Sequence, residues 1–165
     1  MLQIRSPRAA IALMLFGSVA VIGGALLFQY AGGLAPCELC LYERWPYYAA
    51  IPLALAVVPA HTVRSDARGG AAILLLIFLA SSALAFYHVG VEQHWFAGPT
   101  ACTGSGGPAP KTIEELQAQL FAQQPVRCDQ PQFSTFGITL AAWNLAASAV
   151  LAALAVVALR QARRA

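Results

Sequence analysis

Four cysteines are the residues of this chain whose type and spacing could do chemistry. Cys37 and Cys40 form a CxxC pair within PCELCLYERWP, residues 36–46, and Cys102 and Cys128 lie in a later polar stretch. A cysteine pair can be a structural staple, a redox centre that releases two electrons as it closes, or half of a metal site. Four cysteines allow three pairings, of which near-neighbour pairing, Cys37–Cys40 and Cys102–Cys128, is the simplest.

The CxxC pair is the better candidate for reactive chemistry. In the chain-entropy model its small ring stabilises the fold by only about 2 kcal/mol, whereas a Cys102–Cys128 ring would contribute about 3.5 kcal/mol and could serve as a loop staple. Structural zinc usually draws its ligands from two close pairs. The second pair here has the spacing C-x25-C, so we expect disulfides and no resident metal.

Arg44 follows the CxxC pair at helical spacing. Pro36 suits the first turn of a helix, which would place Cys37 and Cys40 at its N-terminus, where the helix dipole favours a thiolate. On a continuous helix Cys37, Cys40 and Arg44 would share one face. The permanent charge of Arg44 would then stabilise the Cys40 thiolate. An ordinary interfacial arginine, paired with Glu43, is the alternative.

The composition indicates that a membrane protein holds these residues. Of the 165 residues, 59% are apolar and only 10% are charged, whereas soluble domains carry about 25% charged residues. The mean hydropathy is +0.64. About 20 apolar residues cross the hydrocarbon of a bilayer, and the uncharged stretches predict four helices. These spans are residues 9–28, 41–60, 70–90 and 135–159. The first is expected to be an uncleaved helix, because its apolar core is too long for a signal peptide.

The distribution of cations predicts the orientation of the bundle. Seven of the ten Lys and Arg residues lie on one side: Arg5, Arg8, Arg64, Arg68, Arg160, Arg163 and Arg164. The positive-inside rule places this side, with both termini and the loop 61–69, in the cytoplasm. The loops 29–38 and 92–132 and all four cysteines then lie on the oxidising face. The net charge of +3 follows from this topology and requires no nucleic acid. We expect a single all-α domain over residues 1–165.

The second outer loop combines a flexible segment with a short helix. KTIEELQAQLFAQQ, residues 111–124, has Thr112 and Glu115 in capping-box spacing and an apolar face at helical period. The glycine- and proline-rich residues 103–110 precede it. The pattern predicts an amphipathic helix on a mobile tether, able to carry Cys102 to a soluble protein and return Cys128 to the CxxC pair.

Electrons released by a dithiol need an acceptor. Haem requires axial ligands, commonly histidine, but His61, His88 and His94 are scattered and are best explained as ordinary interfacial histidines. The glycines of residues 103–110 neither follow a strand nor open a helix, so they form no dinucleotide fingerprint. By elimination the acceptor is a quinone dissolved in the bilayer. Arg44 could also stabilise the anionic oxygen that develops during its reduction.

These segments resemble the DsbB family, bacterial inner-membrane proteins of disulfide bond formation. The most specific is PCELCLYERWPYY, residues 36–48, which is similar to the family pattern P-C-x-L-C-x-x-x-R. GVEQHWF, residues 90–96, and CDQPQFSTFGITLAAWN, residues 128–144, support it. The resemblance covers nearly the whole chain. It implies a four-helix bundle in the inner membrane with redox cysteines on the periplasmic face.

The resemblance also implies a role for each cysteine. Cys102 would form a mixed disulfide with DsbA, a thioredoxin-fold oxidase, and Cys128 would exchange with Cys37. Cys40 would be the thiolate that faces ubiquinone or menaquinone, with Arg44 as its cationic neighbour. The net reaction would be reduced DsbA plus quinone giving oxidised DsbA plus quinol. Two alternatives stay open, a non-enzymatic membrane scaffold with structural disulfides and a DsbB paralogue with a dedicated partner.

Overall fold

The protein is mostly helical. A computed structural model describes residues 6–58, 64–99, 112–115, 117, 126–131 and 133–164. Its helices are α1 (Pro7–Tyr30), α2 (Glu38–Tyr42), α3 (Trp45–Val57), α4 (Arg64–Glu92) and α5 (Leu140–Arg164). A two-stranded hairpin, β1 (Ser134–Thr135) and β2 (Ile138–Thr139), precedes α5. This hairpin is the departure from the all-α fold that the sequence predicts.

Three helices among the described residues are long and apolar enough to cross a membrane. They are Pro7–Tyr30, Ala67–Glu92 and Leu140–Arg163. These correspond to three of the four predicted spans, and with the composition they identify an α-helical membrane protein. The remaining predicted span, residues 41–60, is divided between α2 and α3, which have five and thirteen residues. The count of four membrane-spanning helices and their orientation therefore stay predictions.

Successive helices pack antiparallel. At one end of the bundle, Gly70 near the start of α4 faces Val57 at the end of α3. Further along, Ser82 of α4 donates a hydrogen bond to Ser148 of α5. At the opposite end, Glu92 accepts a hydrogen bond from Thr139, immediately before α5. The start of α2, the end of α4 and the start of α5 consequently meet at the same end of the bundle.

Small side chains allow close contact between the helices. The buried face of α5 is made mostly of Ser148, Ala152, Ala155, Ala158 and Ala162, which recur at helical spacing. Helix packing in membranes relies on such close backbone approach, because lipid is as apolar as the packing side chains and supplies no hydrophobic drive. Larger residues of the other helices fill the core against this face, among them Met14, Tyr47, Leu74 and Phe78.

The helical conformation is interrupted between α2 and α3. The N–H of Arg44 bonds to the carbonyl of Leu41, three residues back, and the Arg44 carbonyl then accepts from Tyr47 and Tyr48. Pro46 lies in the first turn of α3. It has no N–H to donate and suits the beginning of a helix rather than its interior. The prediction of one continuous helix through the CxxC pair and Arg44 is therefore wrong, because the helix breaks at Glu43 and Arg44.

The second outer loop is described only in part. Thr112 Oγ1 accepts the N–H of Glu115 at 3.1 Å, the bond that the capping-box spacing predicts, and residues 113–115 are helical. Most of the predicted helix 111–124 lies outside the described residues. The turn of the β1–β2 hairpin is formed by Phe136 and Gly137, both with positive φ, as in the two-residue turns that match strand twist.

Candidate functional site

The CxxC pair lies at the start of α2, near one end of the bundle. Cys37 and Cys40 form a disulfide. Cys37 is the N-cap of α2, and its Sγ accepts the backbone N–H of Cys40 at 3.1 Å. Pro36 precedes the cap, so the helix begins later than the sequence predicts. Because α2 has only five residues, its dipole is short, and this N–H is the nearest group that would stabilise a Cys37 thiolate.

A buried histidine contacts the disulfide. His88 Nε2, from the end of α4, lies 3.7 Å from Cys37 Sγ. Its other ring nitrogen, Nδ1, lies 2.9 Å from Glu43 Oε1. Both side chains are nearly inaccessible, with His88 2% and Glu43 7% exposed. A carboxylate on Nδ1 fixes the orientation of the ring and directs Nε2 at the sulfur. His88 is thus a member of the site, which the sequence interpretation as an ordinary interfacial histidine missed.

The carboxylate of Glu43 is held from a third helix. Asn144 Nδ2, on α5, donates to Glu43 Oε2 at 3.0 Å. Asn144 Oδ1 in turn accepts from the Tyr47 hydroxyl at 2.6 Å. The polar side chains therefore form one continuous chain from Cys37 through His88, Glu43 and Asn144 to Tyr47. Both carboxylate oxygens have partners, which is the condition under which such a group is tolerated in a buried site.

Arg44 is not paired with Glu43, so the expected pairing is wrong, whereas the role of Arg44 beside Cys40 stays a prediction. Its Nη1 donates to Gln29 Oε1 of α1 at 2.6 Å. Glu43 and Arg44 lie at the break between α2 and α3, and the two side chains meet different helices. Arg44 nevertheless lines the same cavity as Cys40. A neutral amide partner leaves the guanidinium with its full charge, whereas a carboxylate would have cancelled it.

Cys128 packs against the CxxC pair. It is 2% exposed and belongs to a buried cluster with Cys37, Leu39 and Val91. Cys128 is itself disulfide-bonded. Cys102 lies outside the described residues, so the pairing Cys102–Cys128 stays a prediction. The proximity of Cys128 to Cys37 is a property of the tertiary fold, because the two residues lie far apart in the chain.

The residues that flank Cys128 form an exposed ion pair. Arg127 Nη2 lies 2.6 Å from Asp129 Oδ2. Hydrogen bonding from Arg127 holds the pKa of the Asp129 carboxyl below its ordinary value. The pair is neutral as a whole, so Arg127 adds little net charge beside the Cys128 sulfur.

A cavity of about 360 Å³ adjoins the disulfide. Polar side chains of the site line one part of it, including Cys37, Cys40, Arg44, His88 and Cys128. Apolar side chains of α1 and α5, such as Val21, Phe28 and Trp143, line much of the rest. An apolar chamber with a few convergent polar groups is the usual form of a small-molecule site.

Three side chains of the site could also bind a metal ion. The ligand atoms of Cys37, Cys40 and His88 all lie within 4.8 Å of one another. In the disulfide state the two sulfurs are bonded to each other and have no thiolate to offer a metal. The described oxidised form is therefore a disulfide site.

Sequence reasoning missed three polar residues of the site, and weak signals existed for each. His88 and Asn144 interrupt otherwise apolar stretches, and Glu43 lies directly beside Arg44. Polar groups inside membrane spans are costly and are frequently functional. The sequence does not reveal which partner each of these three residues contacts, since that depends on how the helices are rotated against one another.

The fold and site define a class: helical membrane proteins in which a CxxC disulfide lies beside a further buried cysteine and a cavity. Residues 7–158 match the family model described as Disulfide bond formation protein DsbB. The chain belongs to this DsbB family and is an oxidoreductase of disulfide bond formation.

Several curated relatives are similar over most of the chain. Disulfide bond formation protein B of Actinobacillus pleuropneumoniae is 30% identical over 157 residues, covering 92% of this chain and 85% of the relative. The protein of the same name from Haemophilus influenzae is 30% identical over 135 residues, covering 79% and 73%. An uncharacterised protein of Rickettsia prowazekii is 27% identical over 130 residues, covering 78% and 73%.

Proposed function

We propose that this protein is a protein-disulfide:quinone oxidoreductase of the bacterial inner membrane. It reoxidises a DsbA-like thioredoxin-fold oxidase on the periplasmic face and passes the two electrons to ubiquinone or menaquinone. The observation that carries the proposal is the position of the Cys37–Cys40 disulfide, with buried Cys128 packed near it and a cavity containing Arg44 alongside. This arrangement supports a relay from one cysteine pair to the other and then to an acceptor.

The exchange steps conserve electrons. The partner dithiol attacks Cys102 of the Cys102–Cys128 disulfide, and the resulting mixed disulfide resolves to give the oxidised partner and a reduced loop pair. Cys128 then attacks Cys37, and Cys40 leaves as a thiolate. When Cys102 displaces Cys37 from Cys128, the loop disulfide is restored and Cys37 and Cys40 are both reduced. Two electrons and two protons have entered the CxxC pair.

Two groups in this chain would assist at Cys37. The Cys40 N–H bonds to Cys37 Sγ at 3.1 Å and stabilises negative charge on that sulfur. His88 Nε2, 3.7 Å away, can give a proton to the sulfur when it leaves and accept one when it attacks. Glu43, on Nδ1, would stabilise the imidazolium form that exists between the two events.

The cavity fits a quinone ring. Its apolar walls come from α1 and α5, and its polar part holds Arg44 and Cys40. A bound quinone supplies a two-electron acceptor. Arg44 is directed by Gln29 and can stabilise the Cys40 thiolate as well as an anionic oxygen in the cavity. His88 also lines the cavity and would be able to supply a proton there.

Ubiquinone reduction by the purified protein, with reduced DsbA as the electron donor, tests this function. We expect the parent protein to turn over, as measured by the loss of quinone absorbance. We expect no turnover in Cys40→Ala, because the thiolate that faces the cavity is then missing. His94→Ala is a suitable control, since His94 is an exposed residue beyond the end of α4. If the parent shows no turnover and both disulfides resist mild reductant, the result would instead support a non-enzymatic membrane scaffold with structural disulfides.

A further inference from the structure

The strongest additional feature is the set of donor atoms that forms when the CxxC disulfide is reduced. We propose that the reduced protein binds one Zn²⁺ through Cys37, Cys40 and His88, and that this binding traps the reduced state. The cavity beside the sulfurs leaves space for water at a fourth position, as in zinc sites that have three protein ligands.

The distance between Cys37 and His88 matches such a site. Zn–S bonds of about 2.3 Å and Zn–N bonds of about 2.0 Å at tetrahedral angles place sulfur and nitrogen about 3.5 Å apart. His88 Nε2 lies 3.7 Å from Cys37 Sγ. Two thiolates on zinc lie about 3.8 Å apart, so Cys40 Sγ needs only to move away from its disulfide partner after reduction. All three donor atoms already lie within 4.8 Å of one another.

The surrounding groups also suit a metal. Glu43 Oε1 lies 2.9 Å from His88 Nδ1, which completes the carboxylate–histidine–metal arrangement that orients ligating histidines. Asn144 holds the other carboxylate oxygen. The N–H of Cys40 bonds to Cys37 Sγ and would stabilise it as a thiolate. Zn²⁺ with two thiolates carries no net charge, which limits the cost of placing the ion in a partly buried site.

The chemistry is balanced with either of two reductants. Reduction of Cys37–Cys40 takes two electrons and two protons, and a partner dithiol supplies both. A phosphine supplies the two electrons and becomes the phosphine oxide, while water supplies the two protons and the oxygen. Zinc then displaces two protons from the thiols as it binds. A bound ion would prevent Cys37 and Cys40 from reacting further, so it would stop turnover until a chelator removed it. This last consequence rests on the proposed function, whereas binding of zinc does not.

Zinc titration of the full-length protein in detergent tests the inference. The protein is reduced with a phosphine, freed of reductant without oxygen and titrated against a chromogenic chelator. We expect one Zn²⁺ per chain in the reduced protein and none at comparable affinity in the oxidised protein. His88→Ala should weaken binding at least tenfold and Glu43→Gln about 10- to 100-fold, the range found for groups that orient a metal ligand. His94→Ala should bind as the parent does.

Co²⁺ binding gives a second, spectroscopic measurement, made first in the parent protein. We expect thiolate-to-cobalt charge transfer for two sulfurs, together with the intense visible bands of a tetrahedral ion. The same spectrum should persist in Cys102→Ser/Cys128→Ser, which removes the other thiols. Failure of the reduced protein to bind metal would overturn the inference, as would binding that is lost in the double variant or unaffected by His88→Ala. Neither donor protein nor quinone is present, so failure here leaves the proposed function intact.

Discussion

At the scale of single residues, the site depends on how charge is divided between two neighbours in the chain. Glu43 and Arg44 are adjacent, yet Glu43 is held by His88 and Asn144 while Arg44 is held by Gln29. The carboxylate therefore serves the histidine beside Cys37, and the cation stays available to the cavity beside Cys40. A direct Glu43–Arg44 ion pair would have weakened both effects, since opposite charges in contact largely cancel each other's field.

Arg44→Ala should slow quinone reduction without slowing thiol exchange with DsbA. We expect quinone reduction to slow by about 10- to 100-fold, because a lost charge-assisted hydrogen bond costs about 1.5–3 kcal/mol and each 1.36 kcal/mol changes a rate about tenfold. Thiol exchange with DsbA should continue at the parental rate, because Cys37 and Cys128 are untouched. Stopped-flow measurement of each step checks this.

Arg68→Ala is the matched control for Arg44→Ala. Arg68 lies near the start of α4, at the opposite end of the bundle from the cavity, so its removal should leave both steps unchanged. Parental quinone turnover in Arg44→Ala, or equal slowing in the two variants, would contradict the role given to Arg44.

At the scale of elements, breaks in helices position the site. The chain leaves α1 through Gly33, whose φ is +67°, and turns to place Cys37 as the cap of α2. It breaks again at Glu43 and Arg44 before Pro46 begins α3. These breaks let Cys37, Glu43 and Arg44 face partners that they would not meet along one continuous helix. The hairpin before α5 has a similar role, since its last residue, Thr139, caps α5 and bonds to Glu92.

Gly33→Ala should destabilise the protein through its backbone alone. A Cβ at Gly33 would meet no atom within 4 Å, but left-handed φ costs a residue with a Cβ about 1–2 kcal/mol. We expect the thermal unfolding midpoint in detergent to fall by a few degrees. Gly24→Ala is the control, since its Cβ also meets nothing and its position inside α1 favours alanine. Equal midpoints in the two variants would show that the turn at Gly33 is not rigid.

At the scale of the whole molecule, the antiparallel order of the helices concentrates the site at one end. The site lies where α2 begins, α4 ends and α5 begins, and it comprises the described cysteines, His88 and the cavity. The cations predict that the opposite end faces the cytoplasm. The proposed exchange with a periplasmic protein requires this orientation, because a disulfide on the cytoplasmic face would be reduced.

Labelling of introduced cysteines tests the orientation. Phe136 is 96% exposed at the tip of the hairpin, and Arg68 is exposed near the other end of the bundle. A membrane-impermeant maleimide should label Phe136→Cys in intact spheroplasts and should label Arg68→Cys only after permeabilisation. The native cysteines, held as disulfides, should give a low background. The reverse pattern would mean that the cations do not set the topology.

Much of the architecture could be predicted from the sequence. The apolar stretches located three helices long enough to cross a membrane, because the thickness of a bilayer imposes a length that composition reveals. The Cys37–Cys40 disulfide was predicted from the CxxC spacing and is present. The segment around these cysteines also pointed to the DsbB family, which the match over residues 7–158 confirms. These features are local, so neighbouring residues are enough to reveal them.

The sequence by itself determined the Cys37–Cys40 disulfide, the three long apolar spans and the family. Only the tertiary structure decided which polar residues join the site. Glu43 meets His88 across 45 residues of chain and Asn144 across 101. Burying a polar side chain is costly unless it finds a partner, but the sequence alone offers several partners for each of these residues. The rotation of each helix, fixed by close packing of small residues and by the break at Pro46, selects one of them.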